Sequence, residues 1–192
     1  MALGNVFVVM PAYNAARTVE RVFARLTPEA RALVSRYVVV DDGSSDGTRD
    51  ALERAARSLP ELTILAHERN RGYGGAMKTL LAFARDHGAS AAITLHADGQ
   101  YAPEMIPALL APIAAGGAEI VQGSRVLGGG ALAGGMPVYK YVANRFLTAI
   151  ENRAFGLVYH HSDAHTEFLK AAYSSSFSEN GLNPMAFKSL QR

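Results

Sequence analysis

Three short polar clusters hold residue types that can do chemistry, and each directly follows an apolar run. The first is His96-Ala97-Asp98-Gly99-Gln100. A carboxylate and an amide oxygen are what a hard divalent cation takes as ligands, and such a cation neutralises a departing diphosphate. At strand-like spacing, residues two apart project to the same side, so His96, Asp98 and Gln100 are expected to face one metal ion. The plainer alternative makes Asp98 a cap for a helix near Pro103. The second cluster is Asp41-Asp42-Gly43-Ser44. Adjacent carboxylates at a strand end can accept hydrogen bonds from a base or a ribose. A simple turn needs only Asp46 or Thr48 as its helix cap, which leaves Asp41 and Asp42 for a ligand. The third is Pro11-Ala12-Tyr13-Asn14, where Tyr13 either stacks on a nucleobase or packs under a loop.

Gly72-Tyr73-Gly74-Gly75-Ala76-Met77-Lys78-Thr79 is reminiscent of a phosphate-binding loop, but Met77 stands where that motif needs glycine before Lys-Thr. A P-loop NTPase is therefore disfavoured, although the glycines still allow a backbone to approach a ligand closely. No Gly-x-Gly-x-x-Gly follows the first strand, which argues against a dinucleotide domain. His160, His161 and His165, with Asp163 among them, read as a solvated loop, and His67 and His87 as structural or surface residues.

The elements that must position these clusters alternate. Apolar runs at 6–10, 37–40 and 91–95 read as buried strands, and 62–66 and 119–122 as two further strands. Helices are expected over about 17–26, interrupted by Pro28, then from 48 to about 58, from about 76 to 87, and after Pro103. This alternation predicts a mostly parallel sheet covered on both faces. Ligands bind such sheets beyond the carboxyl ends of the strands, where all three clusters lie. After Gly123 the chain becomes rich in small residues. A helix is expected from Pro137 to about Phe155, with an apolar stripe of Tyr139, Ala143, Phe146, Leu147, Ile150 and Ala154 and a polar stripe of Lys140, Asn144, Thr148 and Asn152. From Ser162 onward no periodicity is visible, so the expected division is a main domain over 1–160 and an irregular, truncated segment over 161–192.

The 192 residues carry a formal net charge of +2 and no basic run, so no nucleic-acid partner is expected. The chain has no cysteine, which excludes disulfides and thiolate chemistry and is compatible with a cytoplasmic protein. The N-terminus does not read as a signal peptide. No apolar window is long enough to cross a membrane, so any membrane contact is expected to be peripheral.

Val9-Met10-Pro11-Ala12-Tyr13-Asn14, the run Val40 to Thr48, Asn70-Arg71-Gly72 and Ala97-Asp98-Gly99-Gln100-Tyr101 together resemble glycosyltransferase family two. Gly123-Ser124-Arg125 and the helix with Lys140, Asn144 and Arg145 look like its dolichyl-phosphate mannosyltransferase branch. The resemblance implies the α/β GT-A fold, a Rossmann-like sheet, and inverting transfer from a GDP- or UDP-sugar to a polyprenyl phosphate at the membrane surface, with Mg²⁺ or Mn²⁺. By position, Pro11, Tyr13 and Asp41 hold the base and ribose, joined by Asp42, Gly72 and Lys78 in the donor site. His96, Asp98 and Gln100 hold the metal. Asp98, Arg125 and Lys140 carry catalysis, the last two on the acceptor phosphate. Four features depart from the pattern: Ala15 where the family often has Glu, His96 in place of the first Asp of Asp-x-Asp, Thr166-Glu167-Phe168-Leu169 in place of Thr-Gly-Phe-Arg, and an early end to the chain. They motivate the alternative of a nucleotide-sugar-binding protein without turnover. A nucleotidyltransferase is less favoured, because no glycine- and arginine-rich loop follows the first strand.

Overall fold

A computed structural model describes residues 3–118, 120–122, 137–155 and 170–173. Four apolar runs form the parallel part of the sheet: β1 (Val6–Ala12), β2 (Arg36–Asp41), β3 (Leu62–Ala66) and β4 (Ala91–Thr94). Valine fills the centre of β1 and β2 because both strands are covered on both faces, where β-branched side chains pack well. Their alternation divides the core. Val6, Val8 and Met10 of β1 with Tyr37 and Val39 of β2 face one cluster. Phe7 and Val9 with Val38 and Val40 face the other. The first face is covered by α1 (Val19–Ala24), α2 (Pro28–Leu33), α3 (Thr48–Ser58) and α5 (Ile106–Ala114). The second is covered by α4 (Gly72–Asp86), through Ala76, Leu80 and Ala84.

The sheet order is β3-β2-β1-β4-β6-β5, with β5 at Ile120–Gln122 and β6 at Lys170–Tyr173. β6 runs antiparallel to both β4 and β5. The expected mostly parallel sheet with helices on both faces is observed. Ala12, Asp41 and Ala66 lie in one register line at its carboxyl edge, and the turn after β4 starts one hydrogen bond beyond Val9, where Leu95 N donates to Val9 O (3.0 Å).

Three elements differ from the sequence expectation. Pro28 opens a helix as well as ending one: Thr27 caps α2 by accepting from Ala30 N (3.2 Å), and Pro28 takes the first helical position, where its missing N–H costs nothing. α4 starts at Gly72, a turn earlier than expected. The segment beyond Ser162, expected to be irregular, supplies β6. The chain divides into two compact units, Met1–Gln122 with Leu169–Met185, and Gly123–Phe168 with Ala186–Arg192. In the second, α6 (Val138–Phe155) carries Lys140 in its first turn. Its expected apolar stripe is exposed at Tyr139, Phe146, Leu147 and Ile150. Thr148, read as polar-stripe, is buried and donates to Asn144 O (2.9 Å). Among the described residues no helix is long and apolar enough to cross a membrane.

Candidate active site

The loops after β1 and β2 are tied to each other. Asn14 adopts a left-handed backbone (φ +49), which an Asx residue tolerates. Its N–H donates to Ser44 Oγ (3.0 Å), and its Oδ1 accepts from Ser45 N (3.0 Å). Ala15 N donates to Thr48 Oγ1 (2.7 Å) and Ala16 N to Asp46 Oδ2 (3.1 Å). Asp46 Oδ1 also accepts from Thr48 N at the start of α3, although Gly47 and not Asp46 or Thr48 takes the N-cap position. The Thr48 hydroxyl, then the amides of Ala16 and Thr48, hold the Asp46 carboxyl below its ordinary range against a smaller desolvation effect. This tie leaves Tyr13 standing out of the edge, 53% exposed, beside half-buried Pro11.

The two adjacent aspartates have different surroundings. Asp41 Oδ1 accepts from Ser44 N (3.0 Å), closing its own turn, and Oδ2 has no partner among the described residues. Asp42 points inward. Its Oδ1 accepts from His67 Nδ1 (2.6 Å) and from the backbone N–H of Arg71 (2.9 Å). Burial pushes the Asp42 carboxyl up, but the His67 hydrogen bond, the Arg71 and Gly72 amides and the His67 charge together outweigh it, and the net direction is down. Both aspartates are buried, Asp41 at 6% and Asp42 at 3% exposed, and Asp42 Oδ1 is engaged by internal donors.

The loop after β3 closes the same edge. Gly43 (φ +72) lies directly on it, and a Cβ there would sit 2.7 Å from Arg69 C and Asn70 N. Asn70 Oδ1 accepts from Gly72 N (2.8 Å) at the mouth of α4. Gly72 to Gly75 form the first turn of that helix, so no phosphate-wrapping loop exists here. Lys78 is exposed on the side of α4 opposite Ala76, Leu80 and Ala84. Tyr73 points the other way, 5.3 Å from the His96 ring, and is largely exposed.

After Thr94 the chain leaves the sheet, so the strand-spacing premise for His96, Asp98 and Gln100 does not hold. The segment is a turn with Gly99 at φ +80, and Asp98 Oδ1 accepts from Gln100 N (3.0 Å). Asp98 and Gln100 are exposed. His96 is wedged between Tyr73 and Tyr101, the latter 4.3 Å away, and its Nε2 is buried without a hydrogen-bond partner among the described residues. Burial pushes the imidazole's pKa down, against a smaller upward pull from Asp98, so the neutral form that can ligate a metal is favoured. Asp98 Oδ2 and the Gln100 amide oxygen, which have no partner among the described residues, fit a hard cation. The His96 Nε2, closed in by two rings, does not present itself to one. Arg25 holds this turn from behind: Nη1 donates to Gly99 O (2.9 Å) while the guanidinium pairs with Glu104 (2.9 Å). Sequence reasoning missed Arg25, His67 and Tyr73, since their partners are distant in the chain.

Among the described residues no three His, Asp or Glu side chains gather into a metal cage. Arg125, the three histidines at 160, 161 and 165, and Thr166 to Leu169 lie outside the described residues. Lys140 is exposed on α6. A cleft of about 390 Å³ between α1, α2 and α3 is lined by Glu20, Arg21, Phe23, Arg31 and Arg54, among others, and contains none of the candidate residues.

Comparison with known proteins supplies the context. The family described as glycosyl transferase family 2 matches residues 7–175. The UDP-N-acetylglucosamine–dolichyl-phosphate N-acetylglucosaminyltransferase of Methanococcus voltae is 31% identical over 138 residues, 66% of this chain and 54% of that protein. The undecaprenyl-phosphate mannosyltransferase of Micrococcus luteus is 32% identical over 129 residues, 66% of this chain and 50% of that protein. The chain thus spans about half the length of these relatives. In fold it is similar to glucosyl-3-phosphoglycerate synthase of Mycobacterium tuberculosis in complex with Mg²⁺ and uridine diphosphate, with a TM-score of 0.61 at 21% identity over 89% of this chain and 57% of that one.

Proposed function

This chain belongs to glycosyl transferase family 2, and from that premise we propose that it transfers a sugar, with inversion, from a GDP- or UDP-sugar to a polyprenyl phosphate at the membrane surface. The observation that carries the reading is the convergence, at one sheet edge, of an exposed ring, a carboxylate with one oxygen unpartnered among the described residues and an exposed carboxylate turn: Tyr13, Asp41 and Asp98. Tyr13 stacks on the base beside Pro11, and Asp41 Oδ2 accepts from a ribose hydroxyl. Asp98 and Gln100 hold Mg²⁺ or Mn²⁺, which supplies charge neutralisation of the leaving diphosphate. Gly72 leaves room for the donor at the mouth of α4. Arg125 and Lys140 hold the acceptor phosphate. A phosphate is already ionised at neutral pH, so it needs positioning and screening more than a general base. The relatives named for dolichyl and undecaprenyl phosphate support that acceptor class. The exposed apolar side chains of α6 near Lys140 suit a peripheral position on a membrane.

The test is transfer. The chain is incubated with labelled GDP- or UDP-sugar, Mn²⁺ and polyprenyl phosphate, and lipid-extractable label is counted. Label in the lipid phase is expected. Donor binding without transfer would favour the binding-protein alternative, which His96 and the other departures motivate.

A further inference from the structure

We infer that His67 is a positioning residue for the nucleotide sugar: it locks the Asp42 carboxylate and, through it, the backbone of Arg71 at the rim of the donor site. The inference rests on the donor reading above. His67 stands just past β3, where its N–H donates to Asp41 O (2.8 Å). Its side chain and that of Asp42 are each 4% exposed, so neither meets a ligand directly. Nδ1 is bound to Asp42 Oδ1 at 2.6 Å, and that same oxygen accepts the Arg71 amide at 2.9 Å. On the far side of the ring, Nε2 lies 2.9 Å from Thr79 Oγ1, which is itself bonded to Gly75 O (3.2 Å) in α4. With both nitrogens engaged, the ring cannot turn. One imidazole therefore fixes the loop after β2, the loop after β3 and the first turns of α4 relative to one another.

What this lock holds is the exposed run Arg69-Asn70-Arg71, which packs against Gly43. Neither guanidinium in that run has an ion-pair partner among the described residues. Arginines without an ion pair among the described residues, one loop away from Asp41, are suited to gripping the oxygens of a nucleotide diphosphate, a geometry that depends on where the backbone places the fork. A supporting group that sets that backbone should therefore act on donor affinity and leave the chemical step alone.

His67→Ala, His67→Asn and Thr79→Val separate this role from mere packing. Donor KM and kcat are measured below the melting temperature of each variant, and hydrogen exchange is followed at the Arg71 amide without ligand. His67→Ala is expected to raise the KM for the nucleotide sugar about tenfold, the scale of one charge-assisted hydrogen bond, with kcat nearly unchanged and protection lost at Arg71. His67→Asn, which keeps a donor for Asp42, should recover part of both. Thr79→Val should shift both slightly in the same direction. Unchanged donor KM with a lowered melting temperature would reduce His67 to a structural residue and overturn the inference, as would a protected Arg71 amide in His67→Ala. Should His67→Ala not fold, the other two variants decide by the same readouts. A wild type that binds no nucleotide sugar overturns the functional reading itself. A wild type and a His67→Ala protein that bind it equally well overturn only the role of His67.

Discussion

The loops after β2 and β3 are stitched together from beneath, whereas the turn after β4 presents Asp98 and Gln100 exposed and is held from behind by Arg25. On the first side, Asp42, His67, Arg71 and Thr79 form a continuous buried chain, and Gly43 lets two backbones touch. On the second, Asp98 accepts a hydrogen bond only within its own turn among the described residues, and the half-exposed pair of Arg25 and Glu104 supports that turn. Buried, fully partnered groups are costly to disturb, while exposed ion pairs contribute little to stability. The difference points to a division of labour: a preorganised side for the nucleotide, and an open side whose carboxylate is left to be satisfied by a ligand. Stability and ligand binding should therefore respond in opposite order along the edge.

The largest loss of stability is expected for Asp42→Ala. It strands the His67 Nδ1–H and the Arg71 N–H inside the protein, at a cost of about 3 kcal/mol in all. Urea denaturation measures it, and a change near zero would mean that the buried chain does not hold this side. The same group sets an acid limb. Its folded pKa is lowered, so its contribution is complete above the ordinary carboxylate value of about 4 and is lost as pH falls through the lower folded value. Asp42→Asn should flatten that limb in a pH series of unfolding midpoints.

Gly43→Ala comes next, at roughly 2 kcal/mol, because it combines a left-handed backbone with a Cβ driven into Arg69 and Asn70. A melting temperature equal to wild type would show that the β3 loop can move away freely, which the stitched description forbids. Arg25→Ala follows, at about 1 kcal/mol or less, since its carboxylate partner is exposed. Its signature lies elsewhere: the Asp98 turn loses a tether, so Mn²⁺-dependent donor binding should weaken severalfold while metal-free nucleotide binding stays unchanged. Equal weakening with and without Mn²⁺ would erase the proposed division between the two sides.

Much of this edge was legible in the sequence because its signals are local. The valine runs of β1 and β2 announce strands buried on both faces, and Asp41, Tyr13 and Asp98 sit at the strand ends that such a sheet presents to a ligand. What escaped depends on partners far along the chain. Asp42 looks equivalent to Asp41 until His67, 25 residues on, is seen to claim it. Arg25 is an ordinary helix-end arginine until the turn 74 residues away meets it. β6 is four residues long and acquires meaning only by inserting between β4 and β5. Two local misreadings have local causes: Pro28 begins a helix as readily as it ends one, and the glycines at 72–75 form helix where a loop was expected. The strand spacing applied to His96, Asp98 and Gln100 failed because β4 stops at Thr94, and Gly99 at positive φ turns the chain.

Asp98→Ala is the smallest perturbation to the fold and the sharpest to the function. Its carboxylate is exposed, so stability should change by no more than about 0.5 kcal/mol. Titration calorimetry of GDP- and UDP-sugars against wild type and Asp98→Ala, each with Mn²⁺ and with a chelator, therefore tests the central claim most directly. The account predicts that wild type binds one of the two donor classes far more tightly with Mn²⁺, and that the folded variant loses this metal-dependent gain entirely. Identical Mn²⁺-dependent binding by the two proteins would contradict it.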